Sequence, residues 1–209
     1  MTTQTTNPIG GFCGLCFYGE KMNKKIVTEC IAEKDLPPEV AREIQDLQHV
    51  AFPSVEEFAS RRWWHTPLVD DDLWFLARVD GQIAGNVKLN HRRIIVAGCP
   101  IRIGGIGNVC SHPTARGMGL AKVCMQAAQN YMAGNPKIDF GFLFCGKPVL
   151  DFYLKLGWVD INNAMTYINA DGNRATGCRE YHGHTMIYPA AMKIAQWRQG
   201  TIDLNGPDW

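Results

Sequence analysis

Between residues 103 and 133 the chain reads IGGIGNVCSHPTARGMGLAKVCMQAAQNYMA. An apolar segment carrying Gly104, Gly105 and Gly107 gives way to a turn with Pro113, a glycine-punctuated loop, and an amphipathic run. Glycine inside a strand marks a bulge or a close backbone approach. The first amides of a helix have no intrahelical acceptor. Gly117 and Gly119 carry no side chain that would keep a large anion from those amides, and a helix N-terminus binds phosphate through free N–H groups and its dipole. Ala121, Val123, Cys124, Ala127, Ala128, Tyr131 and Met132 recur at helical spacing and predict a buried face. The stretch therefore predicts a strand, an anion-binding loop and a packed helix in succession.

Two familiar phosphate loops fail here. A dinucleotide fingerprint needs a third glycine, but Gly117-Met118-Gly119 runs into Leu120, Ala121 and Lys122. A P-loop needs Gly-Lys-Ser/Thr, and Gly146-Lys147-Pro148 does not supply it.

A chain of 209 residues suits one α/β domain with a sizeable core. Its 21 basic and 20 acidic residues nearly cancel, so no global field favours nucleic acid or a membrane surface. No apolar run is long enough to span a bilayer. The first residues lack the basic start of a signal peptide. Eight scattered cysteines do not read as a disulfide framework in a chain this long, so the expectation is a cytoplasmic protein with free thiols. Cys13-x-x-Cys16 could be half of a metal or redox site but has no second such pair, and the Cys178, His182, His184 group reads as an exposed loop around Gly183; no metal is expected.

Residues 1–23 show little core-forming pattern and read as an extension, with a single domain over 24–209. A strand is predicted at 25–33 and a helix at about 36–50, with Val40, Ile44 and Leu47 on one face. Ser54 with Glu57 signals a second helix start, ending in Arg61-Arg62-Trp63-Trp64-His65. That cluster suits a core-facing helix end, or a substrate wall in which indoles meet sugars and arginines clamp carboxylates. The Asp70-Asp71-Asp72 run suits a solvated turn or a cation-attracting cleft edge. Strands at 73–79 and 82–96 flank an Asp80-Gly81 hairpin turn. A buried parallel strand is predicted at 138–144, a short helix with Tyr153 at 148–156, and late strands near 158 and 185–188.

Arg-x-x-Gly-x-Ala after Val-x-x-x-Pro resembles the pyrophosphate loop of the Gcn5-related N-acetyltransferases. A second signature of that family follows about 30 residues on in PVLDFYLKLGW, an aromatic helix ending in Gly-aromatic. The resemblance covers roughly residues 25–190. It implies an α/β (α+β) acetyltransferase fold, a mixed twisted sheet of about seven strands flanked by about four helices. It implies acetyl-CoA as cofactor, with Val109, Cys110 and Ser111 pairing with pantetheine like an added strand. The amides of Arg116, Gly117, Met118, Gly119, Leu120 and Ala121 would cradle the pyrophosphate, and Tyr153 would protonate the leaving thiolate. Many members are homodimers. The strand position that often carries a glutamate base falls near Gly107 and Asn108, where no acid stands, so the base is left open and Asn108 is assigned to the substrate side.

The final segment, WRQGTIDLNGPDW, resembles the tails of nodulation N-acyltransferases and of aminoglycoside 2'-N-acetyltransferases. In the second group the last tryptophan reaches the substrate, which assigns Asp208 and Trp209 to the amino-sugar site, Trp209 with a catalytic role. The kasugamycin-acetylating branch fits best. Because kasugamycin bears a carboxylate, Arg61 and Arg62 with Trp63 would bind it. The reading is acetylation of an amino sugar antibiotic, giving resistance. Nodulation-like acyl transfer to an amino sugar oligomer and a non-catalytic coenzyme A binder remain the alternatives.

Overall fold

The computed structural model describes residues 15–17, 25–53, 72–168, 172–176 and 183–207. Its strands are β1 (Leu15–Phe17), β2 (Ile26–Ala32), β3 (Leu73–Val79), β4 (Gln82–Val96), β5 (Cys99–Ser111), β6 (Phe140–Cys145), β7 (Val159–Ile161), β8 (Met165–Ile168), β9 (Arg174–Thr176), β10 (His184–Pro189) and β11 (Ile202–Pro207). Three α-helices lie among the described residues: α1 (Pro38–Ala51), α2 (Leu120–Gly134) and α3 (Leu150–Lys155). The sheet runs β1-β2-β3-β4-β5-β6-β10-β7, and β11 joins β4 to the small β8–β9 pair. All neighbours are antiparallel except β5 with β6 and β11 with β8. The mixed α/β class is as expected. The strand count is higher, because β8, β9 and β11 are short and β11 finds its partners, β4 and β8, far away in sequence. β1, inside the supposed extension, pairs with β2.

Alternation along β4 sends side chains to two faces. On one face, Leu120, Cys124, Met125, Ala128 and Met132 of α2 pack with Phe75, Val87, Leu89 and Ile106. The buried stripe is rotated from the expected one. Met125 and Gln129 point inward, while Ala121, Val123, Ala127 and Tyr131 are only half-buried. Gln129 is tolerated there because its amide donates to the Leu156 carbonyl at 2.8 Å, tying α2 to the end of α3. On the other face, Val40, Ile44 and Leu47 of α1 meet Trp74, Leu76 and Ile83, as their spacing predicts. Pro38 opens α1 at a position where its missing N–H costs nothing.

Further along the α1 face, the long β4–β5 hairpin extends past β3. Ile94, Val96, Ile101 and Ile103 there form a third cluster with Phe140, Phe142, Trp197, Ile202 and Leu204. Ile202 and Leu204 are fully buried, and Trp197 meets Phe140 edge-on at 5.1 Å between centroids. Trp197, Ile202 and Leu204 are thus part of the core.

Where β5 and β6 begin their parallel pairing, Asp139 clasps Arg102. Its carboxylate accepts from the Arg102 backbone N–H at 2.8 Å and from Nη2 at 2.6 Å, and its own N–H donates to the Arg102 carbonyl. Burial raises the Asp139 pKa, but the Arg102 hydrogen bonds and charge outweigh it and hold the carboxyl below its ordinary value. A carboxyl depressed on folding adds stability that is complete above the ordinary aspartate value of 3.8 and is lost as pH falls through the folded value. Asp139→Asn is expected to lower Tm at pH 7 and to converge with wild type in acid. Tm measured from pH 7 down to about pH 3 checks this; a constant difference across that range would contradict it.

Candidate functional site

β5 and β6 are joined for only three residues. Ile103, Gly104 and Gly105 pair with Phe140, Gly141 and Phe142, and the ladder then stops. Beyond it, residues 107–111 of β5 have no ladder partner in β6, and a gap opens between the two strands. The cause lies in β5. Its register against β4 shifts between Asn86–Cys110 and Lys88–Gly107, so one residue of β4 opposes two of β5. Asn108 occupies the extra position with φ 52°, a left-handed conformation that asparagine tolerates. Fully buried Asn86 holds it there. Its Nδ2 donates to the Asn108 carbonyl at 2.6 Å and its Oδ1 accepts from the Cys110 thiol at 3.0 Å. A bulge bends its strand, and here it turns β5 away from β6. Val109, Cys110 and Ser111, assigned from sequence to the cofactor, lie on this freed segment.

The segment ends in a 3-10 turn, Pro113–Ala115, and the loop into α2. Gly117 and Gly119 have φ 83° and 77°, where a side chain is strained, and a Cβ on either would point into open space. The expectation of six free amides is narrowed. Arg116 N–H closes onto the Pro113 carbonyl and Met118 N–H onto the Ala115 carbonyl, because the turn needs both. The amides of Gly117, Gly119, Leu120 and Ala121 find no acceptor among the described residues. They gather at the α2 N-terminus, where the dipole favours an anion. Gly85 of β4 lets α2 come this close. A Cβ there would lie 2.9 Å from the Leu120 Cβ.

Tyr153 sits on α3, 6% exposed, against Phe152 and Trp158. Burial, and then the nearby Cys145 thiol, push its pKa above the ordinary phenol value. Its hydroxyl has no hydrogen-bond partner among the described residues and keeps its proton. Burial pushes the Cys110 thiol up to about 12 and that of Cys145 to about 11, the latter helped by Asp160. Neither supplies a thiolate near pH 7, so neither is suited to carry an acyl group.

Asn108, assigned to substrate, has its carbonyl committed to the bulge. Arg61, Arg62, Trp63, Asp208 and Trp209 lie outside the described residues, as do Cys178 and His182. Sequence reading missed Asn86, whose role shows only once β4 and β5 are paired. It also missed a charged group on the α1 face made of Glu33, Asp72, Trp74 and Lys88. A separate cleft of about 450 Å³, lined by Glu43, Asp46, Val50, Gln82 and His112 among others, lies beside α1 and the β3–β4 turn. It does not include the gap between β5 and β6.

The sequence profile of the acetyltransferase (GNAT) domain family matches residues 34–160. No curated protein matches the sequence. Among solved structures, an acyl-CoA N-acyltransferase from Pseudomonas aeruginosa aligns with TM-score 0.54 and 22% identity, covering 78% of this chain and 99% of that one. The GNAT family N-acetyltransferase YhbS from Escherichia coli, solved in complex with CoA, gives TM-score 0.54 and 15% identity over 96% of this chain and 93% of its own. A conserved Enterococcus faecalis protein described as a probable N-acyltransferase gives 0.51 and 21% identity, covering 66% of this chain. This chain spans about a third of that protein, with 32% covered. At these identities the likeness establishes the fold.

Gly85→Ala is expected to push α2 off the sheet and cost about 1–3 kcal/mol of stability, because both colliding atoms sit close to the backbone. Gly104→Ala meets the Met132 sulfur at 2.8 Å, a flexible side-chain end that can move, and should cost less. Urea denaturation of both variants checks the order; equal or reversed costs would contradict it.

Proposed function

The chain belongs to the GNAT acetyltransferase family, and we infer that it transfers acetyl from acetyl-CoA to a primary amine of an amino sugar, of the aminoglycoside type. The observation that carries this is the gap between β5 and β6, which leads to four unsatisfied amides at the α2 N-terminus. A pantetheine arm can pair with the free edge of β5 as an added strand. The diphosphate then falls to the amides of Gly117, Gly119, Leu120 and Ala121, and the thioester to the parting of the strands. YhbS, which shares the fold, was solved with CoA.

The chemistry needs no covalent enzyme intermediate. The amine attacks the thioester carbonyl, main-chain N–H groups of β5 offer hydrogen bonds to the developing oxyanion, and the thiolate leaves. Holding both reactants in one cleft supplies much of the rate. Tyr153 protonates the sulfur. Because burial raises its pKa, it stays protonated through any ordinary assay range and adds no ionisation of its own to the pH profile.

The tail supports the amino-sugar assignment. β11 pairs antiparallel with Val96 and Ile95 of β4, and Asn205 Nδ2 reaches the Arg93 carbonyl at 3.5 Å. A Cβ on Gly206 would lie 3.7 Å from the Arg92 guanidinium carbon, so the strand passes beside that side chain. The described part of the tail thus runs along β4 from Val96 toward Arg92, in the direction of Lys88. Kasugamycin, with its carboxylate, is the first acceptor to test, and resistance of cells expressing the protein is the biological consequence.

Thiol release from acetyl-CoA is expected with kasugamycin or another aminoglycoside, and not with acetyl-CoA alone. Release only with long-chain acyl-CoA would favour the nodulation-like reading; no release with any amine would favour a binder. Tyr153→Phe should lower kcat by about 100-fold or more with little change in the acetyl-CoA KM. An unchanged kcat would remove Tyr153 from the mechanism.

A further inference from the structure

We propose that Glu33 receives the acceptor's ammonium and takes its proton, with Lys88 and Trp74 as the residues that position it. The proposal rests on the acetyl-transfer reading above.

Residues opposed across an antiparallel pair share a face. Lys88 opposes Gly107 and Trp74, and Asn90 opposes Gly105, so all of these belong to the α1 face. On that face β5 presents bare backbone at Gly105 and Gly107, where the gap to β6 opens. Across β4, Lys88 is the charged side chain next to this floor. Its Nζ lies 3.0 Å from Glu33 Oε2, and the Trp74 indole N–H donates to the same oxygen at 2.5 Å. Lys88 also sits 5.3 Å from the Trp74 ring centre, a cation–π distance. Both contacts converge on Oε2, while Oε1 has no partner among the described residues. The Glu33 backbone is anchored as well, its N–H donating to the Asp72 carbonyl at 2.8 Å.

Asp72 is the competing acid, and its position excludes it. It is 4% exposed, and its Oδ1 accepts the His91 backbone N–H at 3.0 Å. The Glu33 side chain keeps 17% of its surface. The charged groups facing this pair are Lys88 and Asp72 on Glu33, with His91 and Arg92 beyond them on Asp72. Two carboxylates and two strong cations leave the group near neutrality, so an arriving ammonium meets no net repulsion.

The step balances without a co-reactant. The ammonium passes one proton to the Glu33 carboxylate as the C–N bond forms. The C–S bond breaks, the thiolate is protonated through Tyr153, and Tyr153 is restored by the second proton lost from nitrogen. Glu33 returns its proton to solvent, giving amide, coenzyme A thiol and one free proton.

Glu33→Gln keeps the shape and an acceptor for Trp74 while removing the base. With an amine that wild type acetylates, the variant should lose about 100-fold in kcat/KM for the amine at pH 7, with acetyl-CoA KM unchanged. The deficit should shrink as pH rises and free amine makes the base unnecessary. Glu33→Asp, which restores a carboxylate, should recover part of the loss and serves as the test if the glutamine variant does not fold. A deficit that is absent, that is equal at every pH, or that falls equally on acetyl-CoA overturns the assignment. Wild type that acetylates no amine would overturn the acetyl-transfer reading and this one together, whereas an active wild type matched by Glu33→Gln sinks Glu33 alone.

Discussion

The parallel ladder between β5 and β6 is three residues long, and the site depends on where it ends. A full-length ladder would bury the free edge of β5 and leave no entry for a ligand. The ladder is fastened at its start by Arg102 and Asp139 and stopped by the bulge at Asn108. Asn86 is the connection between these demands. It satisfies the bulge's inward carbonyl and is itself fully buried, so the distortion leaves no unpaired polar group there.

In the proposed reaction, anion and amine meet different chemistry. At the α2 N-terminus the donors are main-chain amides whose direction is set by Gly117 and Gly119, and whose distance from the sheet is set by Gly85. That arrangement holds charge without a basic patch, in keeping with a chain of net charge +1. On the α1 face the charges are side chains locked in pairs, with the Trp74 indole against both Glu33 and Lys88. Fixing both partners before they meet is how direct transfer gains rate without a nucleophile, and the raised thiol pKa values of Cys110 and Cys145 fit that route.

Local signals in the sequence proved readable, and long-range ones did not. The strand, glycine loop and helix over residues 103–133 were legible because glycine and helical periodicity act within a few residues. So were α1, with Val40, Ile44 and Leu47, and the β3–β4 hairpin around Asp80-Gly81. The buried stripe of α2 came out rotated, since Gln129 is polar in sequence and becomes acceptable only beside the Leu156 carbonyl. The bulge needs Asn86, 22 residues from Asn108. The Glu33–Lys88 contact joins residues of β4 and the β2–α1 connection, and Asp72 seemed one of three equivalent aspartates until burial set it apart. Similarly, β8 and β11 pair in parallel across a long separation, which neither strand's own pattern announces.

In the proposed complex the unsatisfied amides of Gly117, Gly119, Leu120 and Ala121 hold the diphosphate of an acyl carrier and so place its thioester where β5 and β6 part. A crystal structure with coenzyme A bound tests it most directly. Diphosphate oxygens within about 3 Å of those four amides, with the pantetheine arm alongside residues 106–111, are the predicted result. A coenzyme seated elsewhere, for example in the cleft beside Glu43 and Asp46, with the four amides left facing water, would contradict it.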